Sequence, residues 1–326
     1  MKATPPVRGV LAAAAVLRAV GARAGGPSRP TFEAGIEVIN VPVSVTDVGD
    51  RPVANLRESD FAIFEDGVRQ EVSVFDHGEL PISLVLMIDT SASMNEKLPL
   101  VQKAALRLTR ALATRDQVEI VQFNERAEVL QEFTSDQATI EAAVRRTRAA
   151  GATGLHNALY AVLKALRRAP AGAEPQRLAI VLLSDGLDTT SLVSEEDVVS
   201  LARRSEISIY TIGPRSQLRF EADGSANSRA VHLLTTLARD SGAQSYFPES
   251  FAQLDPVYDR IAQELRTQYQ LGYASTNAAR DGKWRKIVVQ TPTLSSVKLR
   301  HKVGYFAPTV ALLNRLGLSI FREPHP

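Results

Sequence analysis

Cysteine is absent from the 326-residue chain. Its absence excludes disulfides, thiolate metal centres and thiol nucleophiles. Histidine is scarce, with 5 residues in the whole chain, too few and too scattered for a histidine-rich metal centre. One of them, His156, sits near residues of interest and reads as structural. No apolar run reaches the ~18 residues that a bilayer-spanning helix needs. Two sequence signatures of chemistry are missing as well: there is no GxSxG around a serine and no GxxxxGK[ST] phosphate loop.

A strong charge of either sign is also lacking. The formal charge is +2. Lys2 and Arg8 flank the start of an apolar run at residues 10–17, and "ARAG" at 22–25 offers small residues before a cut. Residues 1–24 therefore read as a secretory signal peptide, the alternative being a disordered or helical start. Removing them takes away four basic and no acidic residues, so 34 Lys and Arg then stand against 36 Asp and Glu, a charge of −2. A near-neutral chain gives no electrostatic case for nucleic acid. Hydrophobic residues make up 44% and charged residues 23%, a balance that allows a buried core, and the length suits two domains.

What the chain does have is pattern. Residues 36–80 read as β structure: "IEVINVPVSVTD" places Val41, Val43 and Val45 on one face at period two, and "FAIFEDGVRQEVSVF" holds two alternating runs around Asp66-Gly67, a hairpin signal. Residues 81–250 alternate buried strands with helical patterns, which predicts a mostly parallel, doubly wound sheet with helices on both faces. A helix at 251–268 is expected to link this domain to a second β segment at 269–308. There "YQLGYA", "KWRKIVVQ" and "VKLRHKVGYF" are three strand candidates. The two β segments are expected to form one small β module, since each alone would leave exposed edges. The tail at 309–326 is apolar and basic.

The chemistry gathers at one sheet edge. In a doubly wound sheet, ligands bind at the carboxyl ends of the strands. The first strand of the α/β part ends in "MIDTSAS", bringing Asp89, Ser91 and Ser93 to that edge. "AAGATGLHNAL" puts Thr153 at the start of a helix, and "VLLSDGLD" puts Asp185 beyond another buried strand. Two carboxylates and three hydroxyls form a hard-oxygen set suited to Mg²⁺ or a similar cation such as Mn²⁺. Each piece alone has a plainer reading as a turn or a helix cap. Their order along one edge is what favours a cation. Asp188 reads as a turn residue, Asn124 as a loop closure, and Arg145, Arg146 and Arg148 as a solvated helix face. Trp284 and Tyr273 are expected to pack the β part.

The "DTSAS" stretch with Thr153 and Asp185 resembles the metal-ion-dependent adhesion site of von Willebrand factor type A domains. The resemblance implies a Rossmann-like fold over 81–250. It implies that Ser91, Ser93 and Thr153 contact the cation directly and that Asp89 and Asp185 support it, in some cases through water. The flanks, "VPVSVTDVGDRPVANLRESDFAIFEDG" and "YQLGYASTNAARDGKWRKIVV…VGYFAP", resemble those of secreted von Willebrand A-like proteins of the acidobacterial type. Related domains often read "GGTALYDAL" around the threonine. Asn157 replaces a common aspartate here, at a position that is not a ligand in the family.

The expected function is cation-dependent protein recognition or adhesion outside the cytoplasm: a secreted, periplasmic or cell-surface bacterial protein whose metal takes an Asp or Glu from a protein partner. No transmembrane anchor is expected after signal removal. Two alternatives stay open, a metal-dependent hydrolase and a scaffold with an idle metal site. The lack of a recognisable nucleophile and base argues against the hydrolase.

Overall fold

The computed structural model describes residues 38–77, 80–168, 176–184, 188–215 and 225–309. The expected signal segment, Asp185 and residues 310–326 of the tail lie outside the described residues. The N-terminal flank contributes strands β1 (Val38–Asp47), β2 (Ala62–Glu65), β3 (Val68–Gln70) and β4 (Val72–His77). The middle of the chain runs β5 (Ile82–Asp89), α1 (Leu98–Ala111), β6 (Gln117–Phe123), β7 (Ala127–Thr134), α2 (Gln137–Arg146) and α3 (Leu155–Arg168). It continues with β8 (Arg177–Leu183), α4 (Glu195–Arg203), β9 (Ser208–Ile212), α5 (Ser225–Ser241), β10 (Ser245–Tyr246) and α6 (Leu254–Thr267). The C-terminal flank adds β11 (Tyr269–Ala274), β12 (Trp284–Gln290), β13 (Val297–His301) and β14 (Gly304–Phe306).

The middle part is a six-stranded sheet in the order β10-β9-β8-β5-β6-β7, parallel except for the antiparallel edge strand β7. All eight residues of β5 are buried, as an apolar strand at the centre of a two-faced sheet must be. Its alternate residues feed two cores. Ile82, Leu84, Leu86 and Ile88 pack with apolar residues of α1, α2 and α6, whereas Val85 and Met87 pack with α3, α4 and α5. Helix starts follow local chemistry. Asp136 caps α2 by accepting from the backbone of Ala138 and Thr139, and Ser194 caps α4 by accepting from Asp197 N. The expected doubly wound fold is what the chain adopts.

Helix α6, expected as a linker, is part of this packing. Leu254, Val257, Tyr258, Ile261, Ala262 and Leu265 are buried in the same core as β5 and α1. Amphipathic spacing predicts the helix but not which surface receives its apolar side, so the sequence alone left it between the two parts.

The flanks form a two-sheet sandwich. One sheet has the order β13-β1-β11-β4 and the other β14-β12-β2-β3, so each mixes strands from both flanks. They share a core that includes Val41, Val43, Ile63, Leu271, Tyr273 and Ile287. Asp66 (φ 48°) and Gly67 (φ 85°) both take positive φ in the two-residue turn between β2 and β3, as the hairpin signal requires. Glu65 of one sheet, 2% exposed, accepts hydrogen bonds from Tyr273 Oη (2.8 Å) of the other sheet and from Tyr305 Oη (3.0 Å) and Ser275 Oγ (2.7 Å). Trp284 packs edge-on against Phe306, with ring centroids 5.0 Å apart. One expectation needs correcting: "VKLRHKVGYF" is not one strand. It breaks at Lys302-Val303, β13 joining the first sheet and β14 the second.

The sandwich docks on the α/β part through specific contacts. The Arg204 guanidinium lies 3.9 Å from the centroid of the Phe306 ring, and buried Lys302 donates to Ser205 O at 2.9 Å. Arg177 Nη1 donates to Leu265 O (2.8 Å) and its Nε to Leu80 O (3.2 Å), which ties together the two points where the chain crosses between the parts. Among the described residues, no helix is long and apolar enough to cross a membrane.

Candidate functional site

The strand order reverses between β5 and β8, the place where an open α/β sheet leaves a crevice at its carboxyl edge. Asp89 ends β5 there and is fully buried. Its Oδ1 accepts from Ser91 N (2.9 Å) and its Oδ2 from Ser184 Oγ (2.9 Å), just past the end of β8. The chain then turns outward. Ser91 is buried, Ser93 is exposed, and their hydroxyl oxygens stand 3.1 Å apart. That spacing matches adjacent corners of an octahedron with bonds of ~2.1 Å, whose edge is about 3.0 Å.

A second loop is bonded directly to the first. Ala150 N donates to Thr90 O (2.8 Å), and Ala92 N donates to Gly151 O (2.9 Å). Gly151 takes a φ of 74°, a turn that L side chains rarely adopt. This loop delivers Thr153, 7% exposed, to the threshold of α3. Gly154 N donates to Asn124 O at 2.6 Å, and a Cβ at Gly154 would come within 2.8 Å of Glu125 O, so only glycine allows that approach. Asn124 closes its loop as expected, through Arg126 N to its Oδ1 (3.3 Å) and through this backbone bond.

A third loop holds Thr153 from behind. Thr153 O accepts from Thr189 N (2.9 Å) and from Thr190 Oγ1 (3.2 Å). Asp188 accepts from His156 N (2.7 Å) and Ser191 N (2.8 Å). Burial raises the Asp188 carboxyl, but these backbone bonds, the Ser191 hydroxyl and the nearby His156 ring outweigh it and hold the group below its ordinary value. Asn157 Oδ1 accepts from Leu192 N and Val193 N, each at 3.1 Å. Asp188, His156 and Asn157 therefore clamp the loop. Arg145 pairs with Glu141 on an exposed helix face, as expected.

Of the five residues singled out from sequence, Asp89, Ser91, Ser93 and Thr153 stand on loops bonded to one another, and Asp185 lies outside the described residues. Among the described residues, no three His, Cys, Asp or Glu side chains are grouped as a metal site. What the loops bring together is chiefly hydroxyl. Sequence reasoning missed Ser184, Thr189 and Thr190. Ser184 had a readable signal, a hydroxyl directly beyond a buried strand at the same edge. Thr189 and Thr190 act on a backbone carbonyl, which leaves no mark in sequence.

A family profile for the von Willebrand factor type A domain matches residues 83–260. A UPF0353 protein of Nocardia farcinica (strain IFM 10152) is 25% identical over 229 residues, spanning 62% of this chain and 67% of that protein. A solved von Willebrand factor type A protein from Catenulispora acidiphila is 12% identical with a TM-score of 0.46, over 86% of this chain and 76% of the other. Proximal thread matrix protein 1 from the mussel byssus, solved with a zinc-occupied MIDAS motif, is 17% identical with a TM-score of 0.46, over 62% of this chain and 49% of the other.

Proposed function

The chain belongs to the von Willebrand factor type A family, and from that premise we propose that it is a cation-dependent protein-recognition module acting outside the cytoplasm. In this reading Ser91, Ser93 and Thr153 bind one Mg²⁺ or Mn²⁺ directly, and Asp89 and Asp185 hold it as charged supports. The bound ion supplies an electrophilic position for an Asp or Glu carboxylate of a protein partner, because three of its ligands are neutral hydroxyls. The observation that carries the reading is the hydroxyl pair of Ser91 and Ser93 at 3.1 Å beside the buried Asp89. Asp89 Oδ1 accepts from Ser91 N and its Oδ2 from Ser184 Oγ, which orients the carboxylate at the sheet edge beside that pair. The three-way loop bonding around Thr90, Gly151 and Thr153 keeps these donors in place before any ion arrives, which lowers the cost of ordering them.

Recognition fits better than hydrolysis. Catalysis by a serine needs a base in hydrogen-bond reach. Ser91 Oγ pairs with Ser93 Oγ, and His156 Nδ1 is engaged with Val193 O at 3.2 Å. The near-neutral composition speaks against nucleic acid as the partner. The flanking segments that resemble secreted acidobacterial-type proteins support an extracytoplasmic setting.

The test is capture from the extracellular fraction of the source cells on immobilised protein. A partner should be retained in Mg²⁺, released by EDTA and retained again after Mg²⁺ is restored. Thr153→Ala should lose the partner more than it loses the cation. Retention that ignores chelator would place recognition on another surface and contradict the proposal.

A further inference from the structure

A cavity of about 560 Å³ opens between the sandwich and the α/β part. It lies at the amino-terminal end of β10, so it faces the sheet edge opposite Asp89. One wall comes from the sandwich, through residues 44–52 and 298–303. The other comes from α5, α6 and the approach to β10. The volume is that of a small-molecule site, and junctions between packed units are where such sites concentrate.

The charge of the lining is lopsided. Four cations, Arg239, Arg260, Lys298 and Arg300, face two carboxylates, Asp50 and Glu264, an excess of two positive charges. Glu264 is already committed: it is 6% exposed and takes hydrogen bonds from Ser44 Oγ (2.8 Å), Tyr210 Oη (3.0 Å) and Arg300 Nη2 (2.7 Å). Asp50 is committed to Lys298 at 2.7 Å. Arg239 bonds Asp240, which Arg203 shares, so counting that trio adds one cation and one acid and leaves the excess unchanged. Arg260 is exposed and has no ion-pair partner among the described residues. Arg300 Nη1 is buried without a hydrogen-bond partner among the described residues, a donor that is costly to leave unmet. Val45 and Leu299 add apolar wall, and Gln244 and Gln263 add amides.

We propose that this cavity is a second ligand site, for a small organic anion with oxyanion groups. The anion would fit its charged groups to the guanidinium donors and its carbon skeleton to the apolar wall. Guanidinium forks match carboxylate and phosphate alike, so dicarboxylates and sugar phosphates are the two sources of this chemistry. Because the lining comes from both parts of the molecule, a bound anion bridges them and stabilises their docking. The site does not depend on the cation reading, since none of its lining residues belongs to the carboxyl-edge loops.

The experiment uses the full chain in magnesium-free buffer at 0.15 M salt, titrated with citrate, with glucose 6-phosphate and with glucose as the uncharged control, by calorimetry and thermal melting. The proposal expects saturable one-to-one binding of at least one of the two anions, a raised Tm with that anion, and no response to glucose. Which anion binds identifies the source. Arg260→Glu should weaken that binding at least tenfold, whereas charge reversal at the exposed Arg167, outside the lining, should leave it unchanged. Arg260 is a surface residue, so its variant is expected to fold. Absence of saturable binding by both anions, or equal binding in wild type and Arg260→Glu, would overturn the proposal.

Discussion

Ser184 Oγ donates to Asp89 Oδ2 at 2.9 Å, across the point where the order of the sheet strands reverses. The bond fixes the carboxylate of one strand end with the hydroxyl of the next parallel strand. It holds a fully buried aspartate beside the serine pair, of which Ser91 is buried and Ser93 exposed. Ser184→Ala removes that hold without touching a proposed ligand. Partners that orient metal ligands are typically worth 10–100-fold in metal affinity. The variant should stay folded and bind Mg²⁺ about tenfold more weakly in a calorimetric titration. Unchanged affinity would mean that Asp89 stays in place without this bond.

Gly242 ends α5 at a φ of 84°, and a Cβ there would lie 2.6 Å from Lys302 N, the residue at which the β13–β14 segment crosses between sheets. Gly242→Ala would meet backbone, not a movable side chain, and would also strain a left-handed conformation. It should destabilise the protein by more than about 1 kcal/mol, read as a lower urea midpoint. A midpoint equal to wild type would show that the sandwich can shift away from α5 at little cost.

Glu119 of β6 is 8% exposed, and its carboxyl is pushed from the ordinary 4.5 up to about 7, by burial first and by the neighbouring Glu132 second. Below pH 4.5 folded and unfolded chains both carry the proton. Between that value and about 7 the folded chain keeps a proton that the unfolded chain has lost. Stability contributed by the protonated group therefore declines as pH rises through this window. Glu119→Gln should shrink the drop in denaturation free energy between pH 5 and pH 8. An identical drop in wild type and variant would show that Glu119 does not titrate there.

Strand β1 lies between β13 and β11, pairing Val43 with both His301 and Tyr269. We propose that residues 36–80 and 269–308 fold as one unit around it and that residues 81–268 form the other. A chain beginning at residue 48 should lose the C-terminal strands as well as β1, seen as rapid amide exchange at 269–301. Retained protection there would show that the C-terminal segment folds without its N-terminal counterpart.

Much of this was legible in the sequence where the signal is local. Strand β5 appears as an apolar run from Ile82 to Ile88 broken only by Ser83, and Asp66-Gly67 announces its turn because few other pairs tolerate two positive φ values. Sheet membership was less legible. Residues 297–306 read as one strand because the alternation continues past Lys302, while the choice of partner sheet depends on β1, far away in the chain, and on β12. The polar network of Glu264, Arg300, Ser44 and Tyr210 was not legible at all, since its members come from four elements far apart in sequence and no local pattern joins them. At the carboxyl edge, spacing and residue type pointed to Asp89, Ser91, Ser93 and Thr153, which lie on adjoining segments of the fold. The backbone bonds that lock Thr153 could come only from the fold.

We propose that the carboxyl-edge loops hold one divalent cation through Asp89 and its neighbours. Titration of the full chain with Mg²⁺ by calorimetry, beside Asp89→Ala and with circular dichroism to verify that both are folded, tests it most directly. Wild type should show a single saturable site and Asp89→Ala none, because the substitution removes one of the only two charges proposed to hold the ion. Equal Mg²⁺ affinity in the two folded proteins, or no binding by the wild type, would show that Asp89 holds no cation.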